Sequence, residues 1–125
     1  MDALHPGRVL WVDLGEGKGR EQQGRRPAVV VSSLDHLVLA DDLVTVVPAT
    51  TVDRGWANHV ELRGPTGLKQ PSFAITEQSK TVSRSRIVDG AGELDPTCLA
   101  EIMGWVDDWL HLPGRREGPG RTPTR

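Results

Sequence analysis

Short apolar segments, separated by glycine and proline, make up most of the first 90 residues of the chain. Segments of this length, rich in valine and bounded by turn residues, are typical of β-strands. In residues 28–33, three consecutive valines follow Pro27, and an unbroken β-branched run indicates a strand buried on both faces. The other predicted strands cover residues 8–14, 43–47, 59–62, 72–76, 81–82 and 87–88. The strand over residues 43–47 is predicted to end at Pro48, and the strand over residues 87–88 is predicted to end at the turn Asp89-Gly90. Closely spaced short strands predict a mainly β fold in the form of a small closed or half-open barrel.

One apolar pattern late in the chain has helical spacing instead. Its members recur at intervals of three and four residues: Leu99, Ile102, Met103, Val106, Trp109 and Leu110. Asp95 is a favourable N-cap and Pro96 occupies the first helical position, so the pattern predicts one C-terminal helix that ends before Pro113-Gly114. The predicted folded domain covers residues 1–112. Residues 113–125, rich in proline, glycine and arginine, are predicted to be a disordered basic tail.

The distribution of charge is more informative than the net charge of −2. Residues 113–125 carry four arginines against one glutamate, a balance of +3, which leaves −5 for the remainder of the chain. A body with that balance does not hold nucleic acid by bulk charge, so any contact with phosphate needs a local cluster. Basic side chains cluster in residues 18–26 and again in residues 80–86. Taken alone, each cluster is more simply a solvated loop face.

The single cysteine, Cys98, excludes an intramolecular disulfide and a cysteine-only zinc site within one chain. We interpret it as a buried structural thiol, and its solitary occurrence favours a reducing compartment. The first residues lack a signal-peptide pattern, and no apolar run approaches the roughly 18 residues that span a bilayer. The chain is therefore expected to be cytoplasmic and without membrane contact. With four tryptophans, one phenylalanine and no tyrosine, a multi-base stacking platform is not expected.

Polar groups at predicted strand ends hold the candidate chemistry. They are Glu21, Gln22, Arg25 and Arg26 before the valine strand, Thr50 and Thr51 after the next strand, and Gln78 and Lys80 further on. In a small barrel such ends can converge on one rim, with donors for a phosphate, an acid, and amides able to read base edges. The glycine-rich residues 15–20 lack the P-loop spacing and a following helix, so they are predicted to be a flexible loop. No histidine cluster, metal site or cofactor site is predicted.

Several motifs occur together in the order of one known family. GRVLWVDL, GREQQGRRPAVVV and TVVPATT resemble that family's first strand, its G-S-E-Q-x-x-x-R-P signature and its V-V-P-x-T-[ST] strand end. HVEL, TGLKQPSFAITEQSKTVSRSRI and the capped helix follow in register. The family is that of the MazF/PemK toxins, the endoribonuclease halves of bacterial type II toxin–antitoxin pairs. The resemblance covers about residues 7–112.

This resemblance implies an SH3-like barrel of the CcdB/MazF type with a C-terminal helix, assembled as a homodimer. It implies metal-independent, cofactor-free, sequence-specific cleavage of single-stranded RNA, which inhibits translation and growth and leaves a 2′,3′-cyclic phosphate. It also implies a cognate antitoxin protein as partner. By their places in the motifs, Arg26, Thr50 and Glu21 are the expected catalytic residues, with Glu21 either accepting the 2′-proton or orienting Arg26. The expected RNA contacts are Arg20, Gln22, Gln78 and Lys80.

The chemistry of these residue types agrees with the expected roles. A guanidinium such as that of Arg26 clamps two phosphate oxygens and stays charged at any working pH, while Thr50 can donate a hydrogen bond to the same group. One position departs from the family, because Arg20 stands where the family has serine. The cleavage sequence is therefore expected to differ, or the activity to be weak. A CcdB-like toxin that binds gyrase and a catalytically weak, antitoxin-binding homologue remain open as alternatives.

Overall fold

The computed structural model describes residues 3–111 of the chain. Short strands account for most of the elements, and one long helix completes the order. In chain order the elements are β1 (Arg8–Asp13), β2 (Arg25–Val30), α1 (Leu34–Leu39), β3 (Leu43–Thr50), β4 (His59–Glu61), β5 (Phe73–Ile75), β6 (Lys80–Ser83), β7 (Ile87–Glu93) and α2 (Pro96–Leu110). Two 3-10 turns, Thr76–Gln78 and Arg84–Arg86, flank β6. The prediction of a mainly β fold with a C-terminal helix is confirmed.

The strands form one antiparallel sheet in the order β4-β5-β3-β2-β1-β7, with β6 paired to β3 beside this path. Strand β3 changes partners along its length. Its first part pairs with β6 and β2, whereas Ala49 and Thr50 pair with β5. A strand that switches partners in this way makes a corner in the sheet. Within residues 3–111 the outer strands β4 and β7 are not paired with each other, so the sheet is half-open and does not close into a barrel.

Strand β2 is buried on both faces, as its unbroken apolar pattern predicts. Successive residues point to opposite sides of a strand. Val29, with Val31 just beyond the end of the strand, therefore joins a core cluster under α2, whereas Ala28 and Val30 join a second cluster under α1. The buried side chains that the helices add are Cys98, Ile102 and Val106 from α2 and Leu37 from α1. Because each fully buried aliphatic side chain contributes about 1.5–3 kcal/mol, these two clusters hold the sheet that carries the site.

Helix α1 is absent from the sequence prediction, which ended the valine strand at Ser33. In the structure β2 ends at Val30, and Ser33 is the N-cap of α1, its Oγ accepting a hydrogen bond from the backbone N–H of His36 at 3.1 Å. Of the apolar side chains in α1 only Leu37 is buried. A six-residue helix with one inward apolar side chain has no amphipathic stripe, so periodicity could not reveal it.

Two strands run further than predicted. β3 continues through Pro48, which pairs with Ala28 of β2 just before the strand changes its partner to β5. Proline has no N–H to donate to a strand ladder, so a strand tolerates it at a place where the ladder changes partner. β7 likewise continues through Gly90 to Glu93, with two register shifts against β1. A Cβ on Gly92 would lie 2.2 Å from the carbonyl oxygen of Pro65, so glycine there permits a close backbone approach.

Helix α2 agrees with its predicted bounds, since it begins at Pro96 and ends at Leu110. Asp95 is the N-cap residue, but its side chain makes no capping hydrogen bond, and Trp109 and Leu110 of the predicted apolar stripe are exposed. Cys98 is buried, as predicted, and its Sγ donates to the carbonyl of Glu61 at 3.4 Å; burial raises the pKa of this thiol. Pro113-Gly114 and the predicted tail of residues 113–125 lie outside the described residues. No helix in the described part of the chain is long and apolar enough to cross a membrane.

Candidate active site

Strand register brings Arg26 and Thr50 to the same end of the sheet. β2 and β3 are antiparallel, with Ala28 opposite Pro48. The paired register ends there, but continuing the same register by two residues in each strand leads to Arg26 and Thr50, and both line the same cleft. Arg26 is half-buried and Thr50 is buried. Two residues far apart in sequence are thus neighbours because of a pairing that the sequence motifs do not themselves encode.

Both residues line an open cleft of about 440 Å³, hereafter the main cleft. Its volume lies in the range of sites that bind small molecules. Basic and hydroxyl side chains from the ends of β2 and β3 line it, together with a surface loop: Arg25, Arg26, Thr50, Thr51 and residues 67–70, beside Trp11 and Ser72. This composition suits an anionic group held against an otherwise apolar wall.

The polar atoms of Arg26 and Thr50 remain able to donate to a ligand. Arg26 donates through Nε to the carbonyl of Gln23 at 3.0 Å, which holds the side chain but leaves the other guanidinium N–H groups for an acceptor. No carboxylate among residues 3–111 forms an ion pair with Arg26. The Oγ1 of Thr50 accepts from the backbone N–H of Val52 at 3.2 Å, so its own hydroxyl proton is available. The pair therefore offers a positive charge and a hydroxyl donor to one phosphate.

The loop between β1 and β2, residues 14–24, is fastened to the 3-10 turn before β6 by one side chain. The side-chain Oε1 of Gln78 accepts a hydrogen bond from the backbone N–H of Gln22 at 2.9 Å, and its Nε2 donates one to the carbonyl oxygen of Arg20 at 2.9 Å. Gln78, predicted to contact RNA, thus lies next to Arg20 and Gln22 as expected. Its oxygen and its Nε2 both bond the backbone of this loop.

Beside this clamp, the carboxylate of Glu77 gathers three polar partners. His59 Nε2 lies 3.2 Å from both carboxylate oxygens, Asn58 Nδ2 donates at 2.7 Å, and Arg20 Nη1 donates at 3.3 Å. Partial burial acts to raise the pKa of the Glu77 carboxyl. Its own backbone hydrogen bond, the hydrogen bond and charge of His59 and the charge of Arg20 outweigh burial and lower that pKa below its ordinary value. Glu77 is therefore an ionised group that only accepts hydrogen bonds.

A smaller cleft, hereafter the side cleft, adjoins the main cleft at Thr50, which lines both. Its volume is about 30 Å³, and its lining side chains are Arg20, Gln22, Thr50, Arg54, His59, Ile75, Glu77 and Gln78. Trp56 packs against three of them. Its ring centroid is 4.8 Å from that of His59, and the guanidinium carbons of Arg20 and Arg54 lie 5.7 and 5.6 Å from it. The structure thereby groups three of the four predicted RNA contacts around one small polar recess.

Two of the predicted site residues, Glu21 and Lys80, line neither cleft. Glu21 is exposed on the β1–β2 loop, where its carboxylate accepts from the backbone N–H of Lys18 at 2.8 Å. Lys80 is the first residue of β6 and pairs with Val46 of β3. The structure therefore brings together Arg26, Thr50, Arg20, Gln22 and Gln78, and leaves these two outside that group.

The second basic cluster of the sequence, residues 80–86, does not form one anion-binding face. Arg84 donates through Nε to the carbonyl of Leu43 at 2.9 Å, and through Nη2 to the carbonyls of Leu37 and Ala40. These bonds tie the end of α1 to β3. Arg84 thus has a structural role, which differs from the simple solvated loop face that the charge cluster suggested.

The sequence did not single out Trp11, Arg54, His59 and Glu77, which line the two clefts, or Trp56, which packs against the side cleft. His59 and Glu77 lie inside the quoted motifs HVEL and TGLKQPSFAITEQSKTVSRSRI, so their motif positions were the available signal. Arg54 and Trp56 lie in the loop between β3 and β4, where no periodicity or motif marks them. Within residues 3–111, no three histidine, cysteine or acidic side chains converge as metal ligands.

Comparison with known proteins identifies relatives along nearly the whole described chain. It is 33% identical over 102 residues to the endoribonuclease toxin MazF of Escherichia coli (strain K12), a match that covers 81% of this chain and 88% of the relative. The crystal structure of MazF (Form-I) from Deinococcus radiodurans superposes with a TM-score of 0.76 at 25% identity, covering 88% of this chain and 98% of the other. A MazE-MazF structure (Form-II) from the same organism gives a TM-score of 0.68 at 26% identity, over 86% and 95%.

The family assignment rests on a match that covers nearly all of the described residues. A sequence model described as "PemK-like, MazF-like toxin of type II toxin-antitoxin system" matches residues 5–110. That span contains every strand and both helices of the structure, so the family resemblance of the motifs is confirmed. The chain belongs to the PemK-like, MazF-like toxins of type II toxin–antitoxin systems.

Proposed function

We propose that this protein is an endoribonuclease toxin that cleaves single-stranded RNA in the main cleft. The observation that carries the proposal is the meeting of Arg26 and Thr50 at one end of the β2–β3 pair. The family match and the name of the Escherichia coli relative, an endoribonuclease toxin, support it. Growth inhibition follows from cutting the messages that the cell must translate.

The proposed reaction is an internal transfer at one phosphodiester. The 2′-oxygen of the ribose attacks phosphorus, so the P–O2′ bond forms while the P–O5′ bond breaks. The 2′-proton passes to a base and the departing 5′-oxygen takes up a proton, which leaves a 2′,3′-cyclic phosphate and a 5′-hydroxyl. Negative charge builds on the phosphate oxygens, where Arg26 supplies a fixed cation and Thr50 a hydrogen bond. Preorganised charge of this kind usually lowers the activation barrier more than any other catalytic effect, and no bound metal or cofactor is required for it.

Glu21 lies apart from the two residues that hold the phosphate in this scheme. Its carboxylate holds the backbone of Lys18 within the β1–β2 loop, and it lines neither cleft. For Glu21 to accept the 2′-proton, the loop must move when RNA binds. A role in shaping the loop that carries Arg20 and Gln22 needs no such movement. Neither expected role has a contact behind it among the described residues, because Arg26 is held by the carbonyl of Gln23 and not by Glu21; we therefore propose that Glu21 acts by shaping the loop.

The proposed partners are a second copy of the chain and a cognate antitoxin. The family description, a toxin of a toxin–antitoxin system, supports the antitoxin. An acidic or amphipathic antitoxin segment laid over the basic rim of the main cleft would compete with RNA. The family match and the retention of Arg26 and Thr50 favour this function over a CcdB-like gyrase poison.

The test is cleavage of a long RNA in EDTA, with the cut ends mapped, by the wild type and by Arg26→Ala. Removing the cation at the phosphate should lower the rate by roughly 10²–10³ or more, while circular dichroism and the melting temperature stay unchanged. Arg63→Ala is the matched control, because Arg63 pairs with Glu101 at 3.0 Å on the surface and such pairs contribute little to stability. It should cut at the wild-type rate. A folded Arg26→Ala protein that cuts as fast as the wild type contradicts the assignment.

A further inference from the structure

Helix α1 presents three aliphatic side chains to solvent. Leu34, Val38 and Leu39 are 61%, 74% and 85% exposed, whereas Leu37 packs on the core. Leu34 and Val38 are four residues apart and share one side of the helix, and Leu39 adjoins Val38. Single exposed apolar residues are common, but three of them on a six-residue helix form a patch, and a patch of this kind indicates an interaction site.

Contacts at both ends hold this short helix in place. At its start, Ser33 caps the backbone N–H of His36. At its end, the guanidinium of Arg84 donates to the carbonyls of Leu37 and Ala40. A six-residue helix is not stable by itself, so these bonds keep its exposed side ordered. A surface that is ordered beforehand loses little conformational entropy when a partner binds.

Three carboxylates border the exposed side of α1. Asp35 lies one turn before Leu39, Asp41 and Asp42 follow the end of the helix, and all three are exposed. Among residues 3–111, none of the three forms an ion pair, and they do not converge as metal ligands. The dipole of a helix disfavours carboxylates at its C-terminal end, so helix stability does not explain Asp41 and Asp42. The three aliphatic side chains and the three carboxylates are hereafter the α1 face.

The charge of the α1 face decides which partner fits it. Three carboxylates repel RNA and an anionic lipid surface, and a second copy placed symmetrically on α1 would bring the same carboxylates together. Residues 113–125 are basic but contain no leucine, isoleucine, valine or aromatic residue, so they do not match the apolar part. A protein segment that carries aliphatic side chains between lysine or arginine residues matches both features.

The α1 face is remote from the main cleft. Arg26 and Thr50 line that cleft at one end of the β2–β3 pair, whereas α1 joins the opposite ends of the same two strands. The eight residues of β3 extend over about 23 Å at the usual rise of a strand. A segment bound to the α1 face therefore leaves the main cleft open.

We propose that the α1 face is a docking surface for a basic, aliphatic protein segment, which binds there without covering the main cleft. The aliphatic side chains of the segment cover Leu34, Val38 and Leu39, and its cations pair with the bordering carboxylates. The proposal does not rest on the proposed function, since no residue of the α1 face lines either cleft.

The first experiment titrates a synthetic amphipathic peptide into the ¹⁵N-labelled full chain. The probe is a helical leucine–lysine peptide of about 14 residues. Two peptides of the same pattern, one with glutamate in place of lysine and one with serine in place of leucine, test charge and apolar contact separately. The leucine–lysine peptide should shift the amide signals of residues 34–42 and not those of the main cleft. It should bind at least about tenfold more tightly than either matched peptide.

Variants of the α1 face identify the contacts. The double variant Val38→Ser, Leu39→Ser should weaken binding of the leucine–lysine peptide about 10- to 100-fold. Asp41→Lys with Asp42→Lys should weaken it roughly tenfold and strengthen binding of the leucine–glutamate peptide. All four side chains are exposed, so both variants should keep the wild-type melting temperature and RNA cleavage.

The matched controls lie elsewhere on the surface. Val88→Ser changes an exposed aliphatic side chain of β7, and Glu61→Lys reverses an exposed charge of β4; neither should alter peptide binding. Equally tight binding of the serine–lysine peptide, or an equal loss in Glu61→Lys, would show attraction by bulk charge and overturn the proposal. A dimer that sedimentation detects in the wild type and not in Val38→Ser, Leu39→Ser would show that a second copy covers the α1 face, and would overturn it as well.

Discussion

Glu77 shows how one side chain of this site is held in its charged form. Three donors, from His59, Asn58 and Arg20, converge on its carboxylate, and only 16% of the side chain is exposed. Removing a partner from such a group leaves the others unsatisfied in a partly buried place, which costs more than the net worth of one hydrogen bond. The same contacts fix His59 and Arg20, so Glu77 positions two walls of the side cleft.

The lowered pKa of Glu77 predicts a pH dependence of stability. The folded protein keeps this carboxyl ionised at a lower pH than the unfolded chain, whose value is near 4.5. Its contribution is therefore fully present above about pH 4.5 and is lost as the pH falls through the lower, folded pKa. Glu77→Gln should destabilise the protein by about 1–3 kcal/mol at pH 7. The difference from the wild type should shrink on acidification.

Urea unfolding from pH 3 to pH 7 measures this effect. Glu101→Gln is the matched control, since Glu101 is 47% exposed and pairs only with Arg63 on the surface; it should change stability little at any pH. A difference between wild type and Glu77→Gln that stays constant with pH would contradict the assigned cause.

Some of the site residues could be predicted from the sequence. Arg26 and Thr50 were assigned from motif position, and the structure places them in one cleft. His59 was not among the predicted site residues, because a lone histidine in a strand gives no sign of a distant carboxylate. Its contact with Glu77 is made across the β4–β5 pair and the turn after it, and this long-range pairing is not written in local sequence.

At the scale of elements, the β1–β2 loop depends on a clamp that lies outside it. Both ends of the segment from Arg20 to Gln22 are bonded to the Gln78 amide. A loop with three positive-φ glycines, at positions 15, 19 and 24, has much conformational entropy to lose, and hydrogen bonds within the loop offset part of that loss. The bonds to Gln78, together with the bond from Arg20 to Glu77, fix where Arg20 and Gln22 lie relative to the two clefts.

Gln78→Leu should release this loop. We expect faster amide hydrogen exchange in residues 20–24, a loss of stability of about 1–3 kcal/mol, and slower RNA cleavage with a larger effect on KM than on kcat. Gln78→Glu keeps an acceptor for Gln22 but loses the donor to Arg20, so its exchange rates should be intermediate. Exchange in the loop that is unchanged in both variants would show that Gln78 acts by contacting RNA instead.

The elements themselves were predicted unevenly, for a physical reason. α2 was found because a long helix on a core has a strong apolar period, and β2 because burial on both faces demands an unbroken apolar run. α1 has one buried side chain and no period. The extension of β7 through Gly90 was wrongly predicted as a turn, since a glycine in a strand also occurs where another group approaches the backbone closely, here the side chain of Arg8. Local pattern does not separate those two uses.

At the scale of the whole molecule, a chain with net charge −2 must bind RNA through a local surface. The main cleft supplies one, because Arg25 and Arg26 reach it from the end of β2 while Arg84 is turned into the fold. Residues 113–125 add a balance of +3 beyond the last residue of α2. The family match ends at residue 110, and the last side chain of the core clusters is Val106.

Truncation after Leu112 should therefore leave the melting temperature and the mapped cleavage sequence unchanged. Affinity for RNA at low salt should fall, and the dependence of log affinity on log salt should become shallower, because fewer counterions are released. The measurement is RNA affinity between low and physiological salt for the full and shortened chains. Unfolding of the shortened chain, or a new cleavage sequence, would show that residues 113–125 belong to the folded site.

Local features of the chain were enough to predict the class of the fold, the long terminal helix, the doubly buried strand and the family, with Arg26 and Thr50 as its catalytic candidates. These follow from periodicity, from composition and from short motifs, all of which are local. The half-open sheet, the clamp of the loop by Gln78 and the structural role of Arg84 became visible in the folded chain alone. The same is true of the recess that His59 and Gln22 share with Thr50. Each of these features depends on strand register and on which backbone groups, distant in sequence, lack a hydrogen-bond partner. The register and the unpaired groups are both set by the packing of the whole chain.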